Sequence, residues 1–261
     1  MLAQQVKEVT SKVVEFDAPM YPSPEAERLA RKQHLAAAYR ALSLFGMDEG
    51  VAGHVSVRDP ILTDHFWLNP YGVYFGHIRA SDLLLVSPSG EVVQGEGRLH
   101  RPAFSIHSGV LAARPDLQSA AHVHSIAGKA VAAGTRRVLP LTQDATAFFE
   151  RHEIWEYEGA LLDPDEGKRM AYKLADGIAL ILANHGLLTV GTTIDAAIWR
   201  IIAMERSCVV QLLAEAAGPV VLIKDDLARK TGCLVGSEKE GWLNFQPLLQ
   251  RLVREQPDLL D

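Results

Sequence analysis

The chain has 261 residues, 48% apolar and 22% charged, with a formal net charge of −6, which suits a soluble globular protein with room for a sizeable core. The negative balance, with no basic block, argues against a phosphate-backbone partner, and no apolar run approaches the roughly 20 residues that span a bilayer. The start, MLAQQVKEVTSKVVEFDAP, lacks a signal-peptide pattern, and Cys208 and Cys233 make neither a disulfide framework nor a thiolate metal site, so the cytosol is the expected compartment.

Residues 1–23 read as a loosely held arm, closed by Pro19 and Pro22. From Pro24, PEAERLARKQHLAAAYRALSLFG spaces its apolar residues by three and four, which predicts a helix ending at Gly46. Short strands follow at 54–58, 66–69, 83–86 and 91–93, separated by turn signals such as Pro88-Ser89-Gly90. Pro102 suits the first turn of a helix through AFSIHSGVLAA that stops near Arg114 and Pro115. A strand is expected over 120–124, and a short helix in SIAGKAVAAG ends at Gly134. Another helix begins at Pro164, with Asp163 as its N-cap, and runs to Leu174. IALILANHG reads as a buried strand after which Gly186 lets the backbone turn. The longest helical pattern, TIDAAIWRIIAMERSCVVQLLAEAAG, starts at a Thr or Asp cap and ends at Gly218, and one amphipathic helix follows from about Gly241. The expected organisation is an arm (1–23), a main domain (24–218) and a C-terminal extension with a terminal helix (219–261). Alternating strands and helices argue for an α/β fold, a single three-layer domain. The hairpin-like early strands point to a mixed, mainly antiparallel central sheet flanked by helices.

The chemistry-bearing residues centre on His122 and His124 in AAHVHS. Alternate residues of a strand share a face, so two imidazoles at i and i+2 enter one space. They are either metal ligands or two satisfied polar side chains. His185 raises the first reading, because it ends a strongly apolar run, where open sheets build their sites. Three histidines fill three corners of a tetrahedron and leave the fourth open, the arrangement of a catalytic centre.

ARPDLQSAAHVHS, ANHGLLTVG and AGHVSVRD together resemble the class II aldolase/adducin family, from about Pro24 to Gly218. The resemblance implies a central sheet flanked by helices, often assembled as a homotetramer with active sites at subunit boundaries. It places the family's metal-binding histidines on His122, His124 and His185, with zinc the usual ion and Fe(II) or Mn as alternatives. The chain also departs from the aldolase branch. Ala103, four residues before His107, stands where that branch has a Glu that ligates metal or moves protons. Arg101 and Pro102 replace its phosphate-binding serines, His54 replaces the Asn of its G-N-V-S loop, and no tyrosine follows Tyr172. RPAFSIH, LTQDATAFF, MERSC and the closing residues resemble an adducin-like bacterial subgroup, in which one relative is a non-haem iron oxygenase of an arylpyruvate.

With Ala103 unable to move a proton, His107 is the first candidate for acid/base, ligand or supporting work; the bland alternative is a core hydrogen bond. Asp144 is the second candidate, acting in catalysis or orienting a ligand histidine, or simply capping ATAFF. His54 and Ser56 share a strand face and are expected to contact substrate. Arg101 offers a planar fork for a substrate carboxylate, or is merely solvated. NPYG at 69–72 is a turn that could wall the pocket. His34, His65, His77 and His152 read as surface or structural residues. The resulting expectation is a metal-dependent lyase of the aldolase or decarboxylase type acting beside a carbonyl of a small, non-phosphorylated oxo- or hydroxy-acid. A three-histidine Fe(II) oxygenase of 2-oxo or 2-hydroxy acids and a non-catalytic adducin-like interaction module are the alternatives.

Overall fold

The structure, a computed structural model, describes residues 19–159 and 165–261, apart from the side chains of Pro102 and Ala103. Most of the expected arm, and the Asp163 cap with Pro164, lie outside the described residues, as does the methyl group of Ala103.

Helix α1 (Pro24–Leu44) begins where the Ser23 hydroxyl accepts from Ala26 N–H at 3.2 Å, with Pro24 in the first turn. It ends at Phe45, and Gly46 takes a left-handed φ of 65°. Next come strands β1 (His54–Arg58), β2 (Phe66–Leu68), β3 (Leu84–Val86) and β4 (Val92–Gln94), then helix α2 (Arg101–Ala113). Strand β5 (Ser119–Val123) leads into helix α3 (Ile126–Ala133). After strand β6 (His152–Trp155) and helix α4 (Glu166–Leu174) come β7 (Ala179–Leu182) and β8 (Gly186–Gly191). Helix α5 (Ile194–Ala217) is capped by the Thr193 side chain. Helices α6 (Asp225–Val235) and α7 (Glu238–Glu255) follow, and a 3-10 turn (Pro257–Leu260) closes the chain.

The eight strands form one sheet in the order β4-β3-β2-β1-β5-β8-β7-β6. Every pairing is antiparallel except β6 with β7, so the sheet is mixed and mainly antiparallel. On one face the larger core joins α1, α3, α5 and α7 through residues such as Leu42, Val131, Ile198 and Phe245. On the other, α2 and α4 bring Ile106, Val110, Met170 and Leu174 against Ala120, Leu180 and Leu188. This is a three-layer α/β domain.

The parity of the two central strands positions the site. Val55 and Val57 of β1, and Ala121 and Val123 of β5, enter the larger core. Their neighbours His54, Ser56 and His122 therefore point to the α2 side, and His54 pairs in register with His122.

Four local expectations change. Strand β5 ends at Val123, so His124 lies just past it. The backbone turn after IALIL is made by Asn184 at φ 57°, whereas Gly186 already belongs to β8. Glycine is needed there because a Cβ would sit 2.3 Å from Val123 O and 3.3 Å from His122 Cε1. The tail holds two helices rather than one: the first charge-rich turn of α6 (Asp225, Asp226) hides its apolar residues, and α7 continues through Pro247. Phe245, Leu252 and Leu259 of the tail are buried in the larger core. Finally, β6 is a four-residue strand paired only with β7 at the sheet edge, too short to show a period.

Candidate functional site

Six of the ten histidines gather at the ends of β1, β5 and β7 and on α2. His122, His124 and His185 each offer one ligand atom, all within 4.8 Å of one another. His122 projects from β5. His124 follows two residues on, past the strand. His185 closes the three-residue β7–β8 turn, held by His185 N–H donating to Leu182 O at 3.0 Å. Its Nε2 lies 3.0 Å from His124 Nε2.

The donor set fits a divalent ion. His122 Nδ1 donates to Leu187 O at 2.8 Å, which fixes the tautomer and leaves Nε2 as the lone-pair nitrogen. Burial and the neighbouring imidazoles hold His122 well below the usual histidine range. Burial, then His124, lowers His185 to about 4. His124 is lowered by burial, with Glu49 opposing. All three rings are thus neutral near pH 7, as ligands must be.

Beside the triad runs a second chain. His54 Nδ1 lies 2.7 Å from His107 Nε2, and His107 Nδ1 lies 2.5 Å from Ser56 Oγ. All three side chains are buried, and burial pushes His107 down to about 3. Both ring nitrogens of His107 are committed, so it meets the site through His54. Among the described residues His54 Nε2 makes no hydrogen bond, and the His54 ring lies 4.9 Å from that of His122. The tautomers of this chain are coupled. If Ser56 donates to His107, then His107 donates to His54 and His54 carries its proton on Nε2; the reverse polarity leaves Nε2 bare.

His100 and Tyr71 extend the cluster. Their rings stack at 5.0 Å and 25°, and His100 meets His54 edge-on at 6.1 Å. Tyr71 comes from the NPYG turn and His100 from the N-cap position of α2, and only the fold brings the two together.

Two candidates lie apart from this cluster. Arg101 is exposed and lines a cleft with Arg58, Phe66, Phe104 and Lys168, none of them a cluster histidine. Asp144 is exposed at the start of a 3-10 turn (Asp144–Phe148) and lines another cleft with Trp199 and Arg206. It does not cap that turn; Thr142 Oγ1 accepts from Ala145 N–H at 3.2 Å instead. His152 is structural: its Nδ1 donates to Phe148 O at 2.6 Å and its Nε2 accepts from Val138 N–H at 3.1 Å.

The chain is similar to known proteins in sequence and in fold. A Streptomyces roseochromogenus subsp. oscitans protein named 4-hydroxy-3-prenylphenylpyruvate oxygenase/4-hydroxy-3-prenylbenzoate synthase is 41% identical over 92% of this chain and 88% of its own. Decarboxylase NovR of Streptomyces niveus is 41% identical over 92% of this chain and 90% of its own. Among solved structures, an L-fuculose 1-phosphate aldolase from Glaciozyma antarctica PI12 superposes with a TM-score of 0.86 at 37% identity, over 94% of this chain and 96% of that one. No helix among the described residues is long and apolar enough to cross a membrane. Residues 33–212 match the model of the Class II Aldolase and Adducin N-terminal domain, and the chain belongs to the class II aldolase/adducin family.

Proposed function

We propose that the protein is a divalent-metal-dependent lyase that cleaves or rearranges a C–C bond beside a carbonyl in a small oxo- or hydroxy-acid. The observation that carries this reading is the convergence of His122, His124 and His185 within 4.8 Å of one another. An ion held by them, zinc first and Fe(II) or Mn as alternatives, would lend Lewis-acid charge to a substrate oxygen. His122, His124 and His185 would hold it through neutral imidazoles.

His54 is the group we assign to proton transfer at the substrate, in the part the family gives to the Glu replaced by Ala103. Its free Nε2 and its closeness to His122 support this. His107 and Ser56 set the tautomer of His54 from behind. The substrate we expect carries no phosphate. His54 occupies the family's phosphate-loop position and is buried against His107, while Arg101 lines a different cleft.

A second reading is a three-histidine Fe(II) oxygenase of an aryl oxo-acid. It is favoured by the Streptomyces relative named a 4-hydroxy-3-prenylphenylpyruvate oxygenase and by the stacked Tyr71–His100 pair beside His54. The retention of all three histidines counts against a non-catalytic interaction module. Assembly as a homotetramer belongs to the same family reading. Val209, Val210 and Leu213 on α5 are exposed, as an assembly surface requires, and sedimentation would test it.

The test is metal analysis of protein purified without oxygen, followed by assays with 2-oxo and 2-hydroxy acids. Turnover with zinc and no oxygen uptake supports the lyase. Turnover with Fe(II) and stoichiometric oxygen uptake supports the oxygenase. Metal-loaded protein inert toward both substrate classes would return the interaction module.

A further inference from the structure

We infer that Glu205 is a positioning residue for the histidine triad, acting through helix α3. This rests on the reading that the triad holds a metal ion. Glu205 lies on α5 and is 9% exposed. Its Oε2 accepts from Ser125 Oγ at 2.5 Å and from Gly128 N–H at 2.7 Å, and its Oε1 accepts from Ala127 N–H at 2.9 Å. These are the residues that leave His124. Ser125 stands at the N-cap of α3 yet makes no side-chain cap bond. Its hydroxyl turns to Glu205 instead, so a carboxylate from another helix satisfies two of the orphan N–H donors of α3, those of Ala127 and Gly128.

The placement matters because His124 lies beyond the end of β5, where the ladder no longer holds the backbone. The first fixed points after it are the three donors on Glu205. The other end of α3 reaches the second ligand: Asn184 N–H, next to His185, donates to Ala132 O at 3.2 Å. Helix α3 is thus a strut between the His124 segment and the His185 turn. It has little freedom to slide, since a Cβ at Gly128 would lie 2.7 Å from the Leu187 side chain. Glu205 sets one end of this strut, and through it the separation of the two Nε2 atoms, 3.0 Å apart.

The test uses Co(II) as the probe. Co(II) affinity, by chelator competition, and the visible ligand-field spectrum are measured for the wild type, Glu205→Gln, Ser125→Ala and Leu252→Ala. A Gln side chain offers one acceptor oxygen and turns its NH2 toward a backbone N–H. The expected result is a fall in affinity of about 10- to 100-fold for Glu205→Gln, as for other residues that orient ligands, with an altered Co(II) spectrum. Ser125→Ala, which loses one of the three bonds, shows a smaller change of the same kind and carries the test if Glu205→Gln does not fold. Leu252→Ala, buried in the core on α7, loses stability but keeps the wild-type affinity and spectrum, separating positioning from general loosening. Wild-type affinity and spectrum in both Glu205→Gln and Ser125→Ala would overturn the role of Glu205 alone. A wild type that takes up no Co(II) would overturn the triad reading beneath it and this inference with it.

Discussion

His54 and His122 are register partners on neighbouring antiparallel strands, and their rings lie 4.9 Å apart. Each has its Nδ1 engaged elsewhere, His54 with His107 and His122 with Leu187 O. The His122–His124–His185 group and the buried His54–His107–Ser56 chain therefore run side by side. In the proposed function His122 holds the ion and His54 moves the proton.

Changing His122 to Ala should abolish metal retention while the circular dichroism spectrum stays native, because two imidazoles at an open site hold an ion far less tightly than three. Arg101→Ala and Asp144→Asn, which line other clefts, should retain wild-type metal content. Atomic spectrometry of the purified variants reads both outcomes.

His107→Phe should split metal binding from turnover. It leaves Ser56 Oγ and His54 Nδ1 buried without partners, at a cost of about 1–3 kcal/mol. For a chain of this size each kcal/mol lowers the melting temperature by roughly 2–4 °C. Metal content should persist, since His107 is outside the triad, while kcat falls. Unchanged kcat would remove the chain from the proton-transfer account.

Acid should destabilise the metal-free protein. Burial holds His107 at about 3, against 6.5 when free in solution, and burial with His124 holds His185 at about 4. Between those values and 6.5 the unfolded chain binds more protons, so stability falls as pH falls. The contribution is whole above pH 6.5 and is lost progressively toward the folded values, at about 1.4 kcal/mol per pH unit for each such group. Guanidinium midpoints from about pH 8 to about pH 5 should show this slope, and His107→Phe should flatten it.

Gly186→Ala should damage fold and site together. The added methyl meets Val123 O at 2.3 Å, on backbone that cannot swing aside, and His122 Cε1 at 3.3 Å. A loss of about 1–3 kcal/mol is expected from overpacking, along with weaker Co(II) binding as the β7–β8 turn shifts His185. Calorimetry and chelator competition would measure the two effects.

Much of this was legible in the sequence, for identifiable reasons. Helix α1 announced itself through its apolar spacing and the glycine after it, and strand β1 through the turn signals that separate the early strands. The triad was legible because HVH is a local pattern and NHG ends an apolar run. What local pattern cannot carry is pairing across the sheet. That His54 faces His122 depends on the register of β1 with β5. That His107 bonds through both nitrogens depends on how α2 lies over that face. Gly186 looked like a turn residue because sequence offers no view of Val123 O approaching from the next strand. Glu205 lies 80 residues from Ser125 in the chain and sits in an ordinary helical pattern, so only the fold joins them. Asp144 drew attention as a polar residue in an apolar segment; the burial belongs to its neighbours Ala145 to Phe148, and its own carboxylate is outside.

The proposed function stands on His122, His124 and His185 holding one divalent ion. X-ray absorption on protein purified without oxygen, combined with metal quantitation, tests it most directly. The expected result is about one divalent ion per chain with three imidazole nitrogens in its coordination shell. Absence of a stoichiometric ion after reconstitution, or an ion bound with fewer than three imidazoles, would contradict it.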